Sequence, residues 1–168
     1  KTFYVESAYK GAQMLVKDKK FDEAVKIYDG LLKIDLDENI WCTIATDCTE
    51  LLIRLATECG DDPKQAKKKA AYLKQATGYA DKLLWKDELI IVFGRAISMK
   101  AHIELLLGQL KKAQELVETY MPQLRSIHDS LVEQDPDGTK GYVRLSPMPE
   151  CRYLLAKMLW EAVQAEAK

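Results

Sequence analysis

The sequence predicts an all-α fold of about seven helices. Apolar residues recur every three to four positions through most of the 168 residues, which is the spacing of one helix face. Glycine and proline are scarce, at 8 and 5 residues, and they cluster between these periodic segments. The alternating β-branched and aromatic pattern of strands is missing almost everywhere. We therefore expect helices joined by turns and packed as antiparallel hairpins.

The ends of the helical segments follow from turn and capping residues. Cys59-Gly60 closes the third segment, and Asp61-Asp62-Pro63 is typical of a cap followed by proline at the first helical position. Gly108 closes the fifth segment. We predict helices at about 3–17, 21–34, 38–58, 63–85, 88–107, 110–132 and 149–168.

Two stretches interrupt the regular pattern. Pro122 falls inside the sixth segment, and since proline removes a helical hydrogen bond we expect a kink or break near Tyr120. Residues 133–148 are rich in glycine and proline and predict a loop of about fifteen residues with a small hairpin at Gly141 to Leu145. Loops this long are often functional. Its candidate contact residues, in or beside the loop, are Tyr142, Arg144 and Arg152.

A spaced motif occurs twice in the chain. It consists of a small residue, a turn residue, a large apolar residue, a small residue and a large apolar residue, with gaps of 7, 2, 3 and 4. Two antiparallel helices approach closely only where the facing side chains are small, so the small positions predict tight hairpins. The two copies are Ala12, Lys19, Phe21, Ala24, Tyr28 and Ala101, Gly108, Leu110, Ala113, Val117.

These residues resemble the tetratricopeptide repeat (TPR) family. Phe21 to Ala24 followed by Ile27-Tyr28 is similar to the second helix of such a repeat, and Gly108 to Ala113 is similar to the turn and second helix of another. The two copies lie 89 residues apart, whereas two repeats of about 34 residues would span about 68. The hairpin between them is therefore oversized, and Lys19 replaces the usual turn glycine.

The resemblance implies a single domain in which hairpins stack as a right-handed α-α superhelix. The hairpins would cover about 3–35, 38–86 and 88–132, followed by the loop 133–148 and a terminal helix at 149–168. Ala156 occupies the position of the first small residue of the motif, so that terminal helix is similar to the first helix of a repeat without its second helix. Because the chain starts at Lys1 rather than Met, we expect it to belong to a longer polypeptide.

Composition disfavours several classes of function. Lys and Arg number 25 against 26 Asp and Glu, so no global field attracts nucleic acid or an anionic membrane. No apolar run approaches the ~20 residues of a membrane helix. The run of lysines from Lys64 to Lys74 is best interpreted as a solvated helix face, with docking of an acidic partner as the alternative.

The residues that could carry chemistry are few. His102 and His128 each lie near a carboxylate, but no nucleophile stands at a spacing typical of an enzyme family. The cysteines have no zinc-site spacing and are interpreted as small core residues, which favours a reducing compartment such as the cytoplasm. They are Cys42, Cys48, Cys59 and Cys151. We therefore expect a protein that is not an enzyme and has no metal or cofactor.

The resemblance to TPR arrays implies a scaffold that binds a protein or peptide on the inner face formed by first helices. A carboxylate clamp of the kind found in one TPR subclass is disfavoured, because Asn39 is the single asparagine. Trp41 could anchor a partner or fill a gap between hairpins. The predicted lining residues are Tyr9, Gln13, Trp41, Thr43, Asp47, Arg95, Met99 and His102.

Two further classes stay open. The terminal helix could pair with its copy or with a neighbouring domain through Leu154, Leu155, Met158 and Leu159. A pocket for a small molecule or lipid could lie under the oversized middle hairpin. Its predicted lining is Leu51, Leu52, Leu55 and Leu83.

Overall fold

A computed structural model describes residues 2–166 of the chain. This part of the chain contains seven α-helices and one short 3₁₀-helix, without a strand, so the all-α prediction is confirmed. The helices are α1 Thr2–Lys17, α2 Phe21–Leu31, α3 Glu38–Glu58, α4 Ala66–Leu84, α5 Ile90–Leu106, α6 Leu110–Gln134 and α7 Met148–Glu166. The chain divides into two compact units, Lys1–Ala80 and Asp81–Lys168.

In the first unit, α1 and α2 form an antiparallel hairpin. Ala12 and Ala24 are both fully buried, as expected of small residues at a close approach of two helices. The turn between them places Lys19 in the left-handed region, with φ of 60°. The backbone N–H of Lys20 donates to the carbonyl of Leu15 at 2.8 Å, which closes a Schellman-type helix end.

Hydrogen bonds join α2 to α4 along their length. Asp22 accepts from Lys68 at 3.0 Å and also from Tyr72. Further along α2, Asp29 accepts from Tyr79 at 2.7 Å. Since both partners advance together along the chain, α2 and the first-unit part of α4 run parallel.

In the second unit, α5 and α6 form the other antiparallel hairpin, with Ala101 and Ala113 fully buried. Its turn repeats the geometry of the first hairpin. Gly108 has φ of 74°, and the N–H of Gln109 donates to the carbonyl of Glu104 at 2.9 Å. The recurring motif therefore predicted two turns of the same kind, although one uses lysine and the other glycine.

Helix α7 packs against both α5 and α6. Ser98 of α5 donates to Glu150 of α7 at 3.1 Å. The core of this unit is Ile97, Ala101, Leu105, Ala113, Val117, Leu124, Met148, Cys151, Leu154 and Met158.

Three local predictions were wrong. The break that was one alternative near Tyr120 does not occur: helix α6 continues through Pro122, because Pro122 and Glu118 are both exposed and water can hydrate the carbonyl that loses its partner. Helix α4 begins at Ala66 rather than Pro63, since Asp62 accepts from the N–H of Lys64 at 2.9 Å and holds a turn there.

The third wrong prediction is the small hairpin in the long loop. Residues 142–145 form the 3₁₀-helix instead. Buried Asp135 accepts from the N–H groups of Lys140 at 3.0 Å and Tyr142 at 2.9 Å, which folds the loop around its carboxylate. These backbone donors outweigh burial and lower the pKa of Asp135.

Candidate functional site

The first unit brings α1 and α3 together at a polar bridge. Tyr9 of α1 donates its hydroxyl to Asp47 of α3 at 2.7 Å. Burial, together with the hydrogen bond to Asp47, raises the pKa of Tyr9 above its usual value, so the hydroxyl stays a donor. The side chain of Gln13 acts on the same hydroxyl and opposes part of this increase in pKa. Three of the eight predicted residues therefore lie together.

A groove of about 490 Å³ adjoins this bridge. Its lining comes from one face of α1 and one face of α3, with one residue from α2, and it contains apolar groups as well as charges of both signs. The lining residues are Gln13, Val16, Lys17, Tyr28, Asp47, Glu50, Leu51 and Arg54.

A smaller, more apolar pocket lies on the other side of Tyr9. Its volume is about 190 Å³, which compares with the roughly 150 Å³ of a cavity that holds benzene. One apolar side chain of a ligand therefore fits there. The lining residues are Val5, Glu6, Tyr9, Ile40, Thr43 and Ile44.

The two pockets follow α1 and α3 in the same direction. Val5 and Tyr9 lie opposite Ile40 and Ile44, and further along both helices Gln13 lies opposite Asp47. The helices therefore run parallel, and the two pockets lie along them on either side of the Tyr9–Asp47 bridge. Arg54 at the far end is already engaged, by Glu58 at 2.9 Å and by the ring of Phe21 at 4.5 Å.

The predicted lining residues divide between the two units. Four of them line the pockets of the first unit: Tyr9, Gln13, Thr43 and Asp47. Trp41, which is on the same helix as Thr43 and Asp47, is half-buried. In the second unit Arg95 and His102 are half-buried, whereas Met99 is only 2% exposed and offers almost no surface to a partner.

Sequence reasoning missed several groove residues. These are charged or apolar residues on the turns that follow the predicted ones, at spacings of three and four. A helical face extends in such steps, so continuing the pattern beyond Gln13 and Asp47 would have found them. They include Val16, Lys17, Glu50, Leu51 and Arg54.

The cysteine and histidine side chains, which are the candidates for chemistry, are buried, half-buried or hydrogen-bonded within the fold. All four cysteines are buried and free, and burial raises the pKa of Cys48 and Cys151 to about 12, so these thiols stay protonated. Burial lowers the pKa of His102. His128 lies 3.0 Å from the hydroxyl of Ser146, which accepts from the first N–H of α7.

Among residues 2–166, no three His, Cys, Asp or Glu side chains are grouped to hold a metal ion. None of the helices described is both long and apolar enough to cross a bilayer.

The residues predicted to line a lipid pocket and those predicted to make contacts from the long loop have the following positions. Leu51 lines the 490 Å³ groove, and Leu52 and Leu83 are fully buried. Tyr142 and Arg144 are exposed on the 3₁₀-helix.

Compared with family models, curated proteins and solved structures, the chain has no significant match to any of them.

Proposed function

We propose that this chain is a non-enzymatic scaffold that binds a peptide or a protein segment in the groove between α1 and α3. The observation that carries the proposal is the surface on either side of the Tyr9–Asp47 bridge. It combines a pocket for one apolar side chain with a larger groove that contains both apolar and charged side chains. Peptide grooves commonly pair apolar anchors with a few placed polar groups in this way.

The stacking of the helices supports a TPR-like array as the framework of that groove. First helix α1 lies parallel to first helix α3, and second helix α2 lies parallel to α4. When repeated hairpins stack, the first helix of each lies beside the first helix of the next, and the second helix beside the second. The matching turns at Lys19 and Gly108 support the same interpretation.

The length of the groove sets the size of its ligand. Lining residues on α3 run from Ile40 to Arg54, which at 1.5 Å per residue is about 20 Å of helix. An extended peptide at about 3.3 Å per residue needs roughly six residues to cover it. The apolar pocket would hold one of them, and the bridge and charged groove would contact the others.

Selection from a display library of random ten-residue peptides tests the proposal. A selected peptide should bind wild type and lose about tenfold or more in affinity to Thr43→Arg, which introduces a long cation at the apolar pocket. The matched control is Ser7→Arg, an exposed α1 position outside both linings, which should change affinity less than about twofold.

Two results would contradict the proposal. One is equal loss of affinity in both variants, which would place the binding surface elsewhere. The other is a library that yields no peptide with saturable binding to the purified chain.

A further inference from the structure

Helix α7 is apolar around most of its circumference. Cys151, Leu154 and Met158 face the core and are at most 1% exposed. The opposite side carries a second apolar stripe whose large residues are more than half exposed. These outer-stripe residues are Tyr153 at 64%, Leu159 at 58%, Trp160 at 65% and Val163 at 57%, with exposed Ala156 at their centre.

This arrangement differs from that of an ordinary surface helix. A helix on the surface of a globular protein has one apolar face and one polar face, whereas a helix that is apolar on both sides is normally buried on both. The outer stripe also differs from the set predicted from sequence, because Leu154 and Met158 are buried in the core. Only Leu159 of the predicted four is exposed.

We propose that the outer stripe of α7 is a homodimer interface, in which two copies of the chain cross antiparallel at Ala156. Within each copy, Ala101 of α5 and Ala113 of α6 are both fully buried in the same core. Ala156 on the stripe gives the same kind of small-residue crossing point, and a two-fold axis there places Ala156 against its own copy. Tyr153 then lies near Leu159 of the other copy.

The area of the stripe alone is smaller than that of a standard interface, so association should be weak. With about 150–250 Å² for an aromatic side chain, the two exposed rings offer about 100–160 Å² each. Leu159 and Val163 bring the total to roughly 400 Å² per copy, about half of the ~800 Å² in a standard interface. Flanking Pro149, Arg152 and Gln164 are exposed beside the stripe and can supply further area.

The charges of α7 are compatible with self-pairing. Arg152 is the single charged residue among the three flanking residues, and an antiparallel crossing at Ala156 puts the two arginines about 12 Å apart along the axis, beyond the ~8 Å screening length. The same register brings Arg152 near Trp160 of the other copy, a favourable cation–aromatic pair. Lys157 and Glu161 lie around the helix from the stripe, towards its polar side.

Sedimentation velocity between about 1 and about 200 µM tests the dimer. Wild type should shift with concentration from 19.1 kDa towards twice that mass. Trp160→Glu should weaken association at least about tenfold. Trp85→Glu, which changes a tryptophan 84% exposed outside α7, should leave it unchanged. A monomer at every concentration, or equal weakening by both variants, would overturn the proposal.

A cysteine cross-link tests the crossing point without relying on affinity. Ala156→Cys should form a disulfide-linked dimer on mild oxidation, since cysteines at the axis face each other. Glu161→Cys, exposed on the same helix but off the stripe, should remain monomeric under the same conditions. Cross-linking of the second variant but not the first would show that the stripe is not the interface.

Discussion

The packing of α5 against the end of the long loop leads to a prediction about Gly94. A Cβ added there would lie 2.6 Å from Cγ of Pro147 and 3.2 Å from Cδ1 of Ile127. Carbon atoms that are not bonded do not approach to 2.6 Å. Because the ring of Pro147 is tied to the backbone, it cannot rotate aside, so the loop before α7 has to shift. Gly94→Ala should therefore destabilise the second unit.

The magnitude follows from two opposing effects. Forcing a methyl group into a filled site costs about 1–3 kcal/mol, whereas replacing glycine by alanine inside a helix contributes about 1 kcal/mol of stability. Gly78→Ala in α4 isolates the second effect, because nothing lies within 4 Å of its added Cβ. The two variants should therefore differ by about 1–3 kcal/mol in unfolding free energy, with Gly94→Ala the less stable.

Urea unfolding followed by circular dichroism measures this difference. A second substitution, Pro147→Ala, removes the ring atom that clashes with the added Cβ. In a double-mutant cycle, Gly94→Ala should cost less in the Pro147→Ala background than alone. If Gly94→Ala stabilised the protein as Gly78→Ala does, or if the cycle showed no coupling, the added Cβ would not clash with Pro147.

Three further predictions concern the turns and the titratable groups. Lys19→Gly should stabilise the first hairpin by about 0.5–1 kcal/mol in urea unfolding by relieving a left-handed lysine, and Gly108→Lys should destabilise the second hairpin by a similar amount. Tyr79→Phe should cost about 1 kcal/mol in the same assay. The hydrogen-bond partner that this variant loses is Asp29, whose pKa is lowered because the hydrogen bonds of Lys33 and Tyr79 outweigh burial. The stability that ionised Asp29 contributes should therefore be lost as the pH falls below about 4. Burial lowers the pKa of His102, so thermal unfolding should show stability falling from about pH 7 to pH 5, and His102→Gln should flatten that dependence.

The hairpins could be predicted because their signals are local. The third helix was placed at Glu38–Glu58 from periodicity and from the Cys59-Gly60 stop, and Asp37 caps its start by accepting from the N–H of Asn39 at 2.9 Å. The small residues of the repeated motif are buried for the reason given, close helix approach. These features depend on residues a few positions apart.

The candidate groove depends on residues far apart in sequence, and for that reason only half of its predicted lining converges. The partner of Tyr9 lies 38 positions along the chain, and which turn of α3 meets it depends on how the hairpins stack. The small hairpin predicted within the long loop was wrong for a different reason, because the sequence alone does not show that Asp135 is buried and accepts from the N–H groups of Lys140 and Tyr142. The outer stripe of α7 became visible only when the burial of Leu154 and Met158 was known.

Whether α1 and α3 together bind a peptide can be measured by titrating the isotopically labelled chain with a display-selected peptide and following the backbone amide chemical shifts. If the peptide binds between these helices, saturable shifts should cluster around Tyr9, Gln13, Thr43 and Asp47. Saturable shifts confined to other helices, with these four amides unmoved, would contradict it.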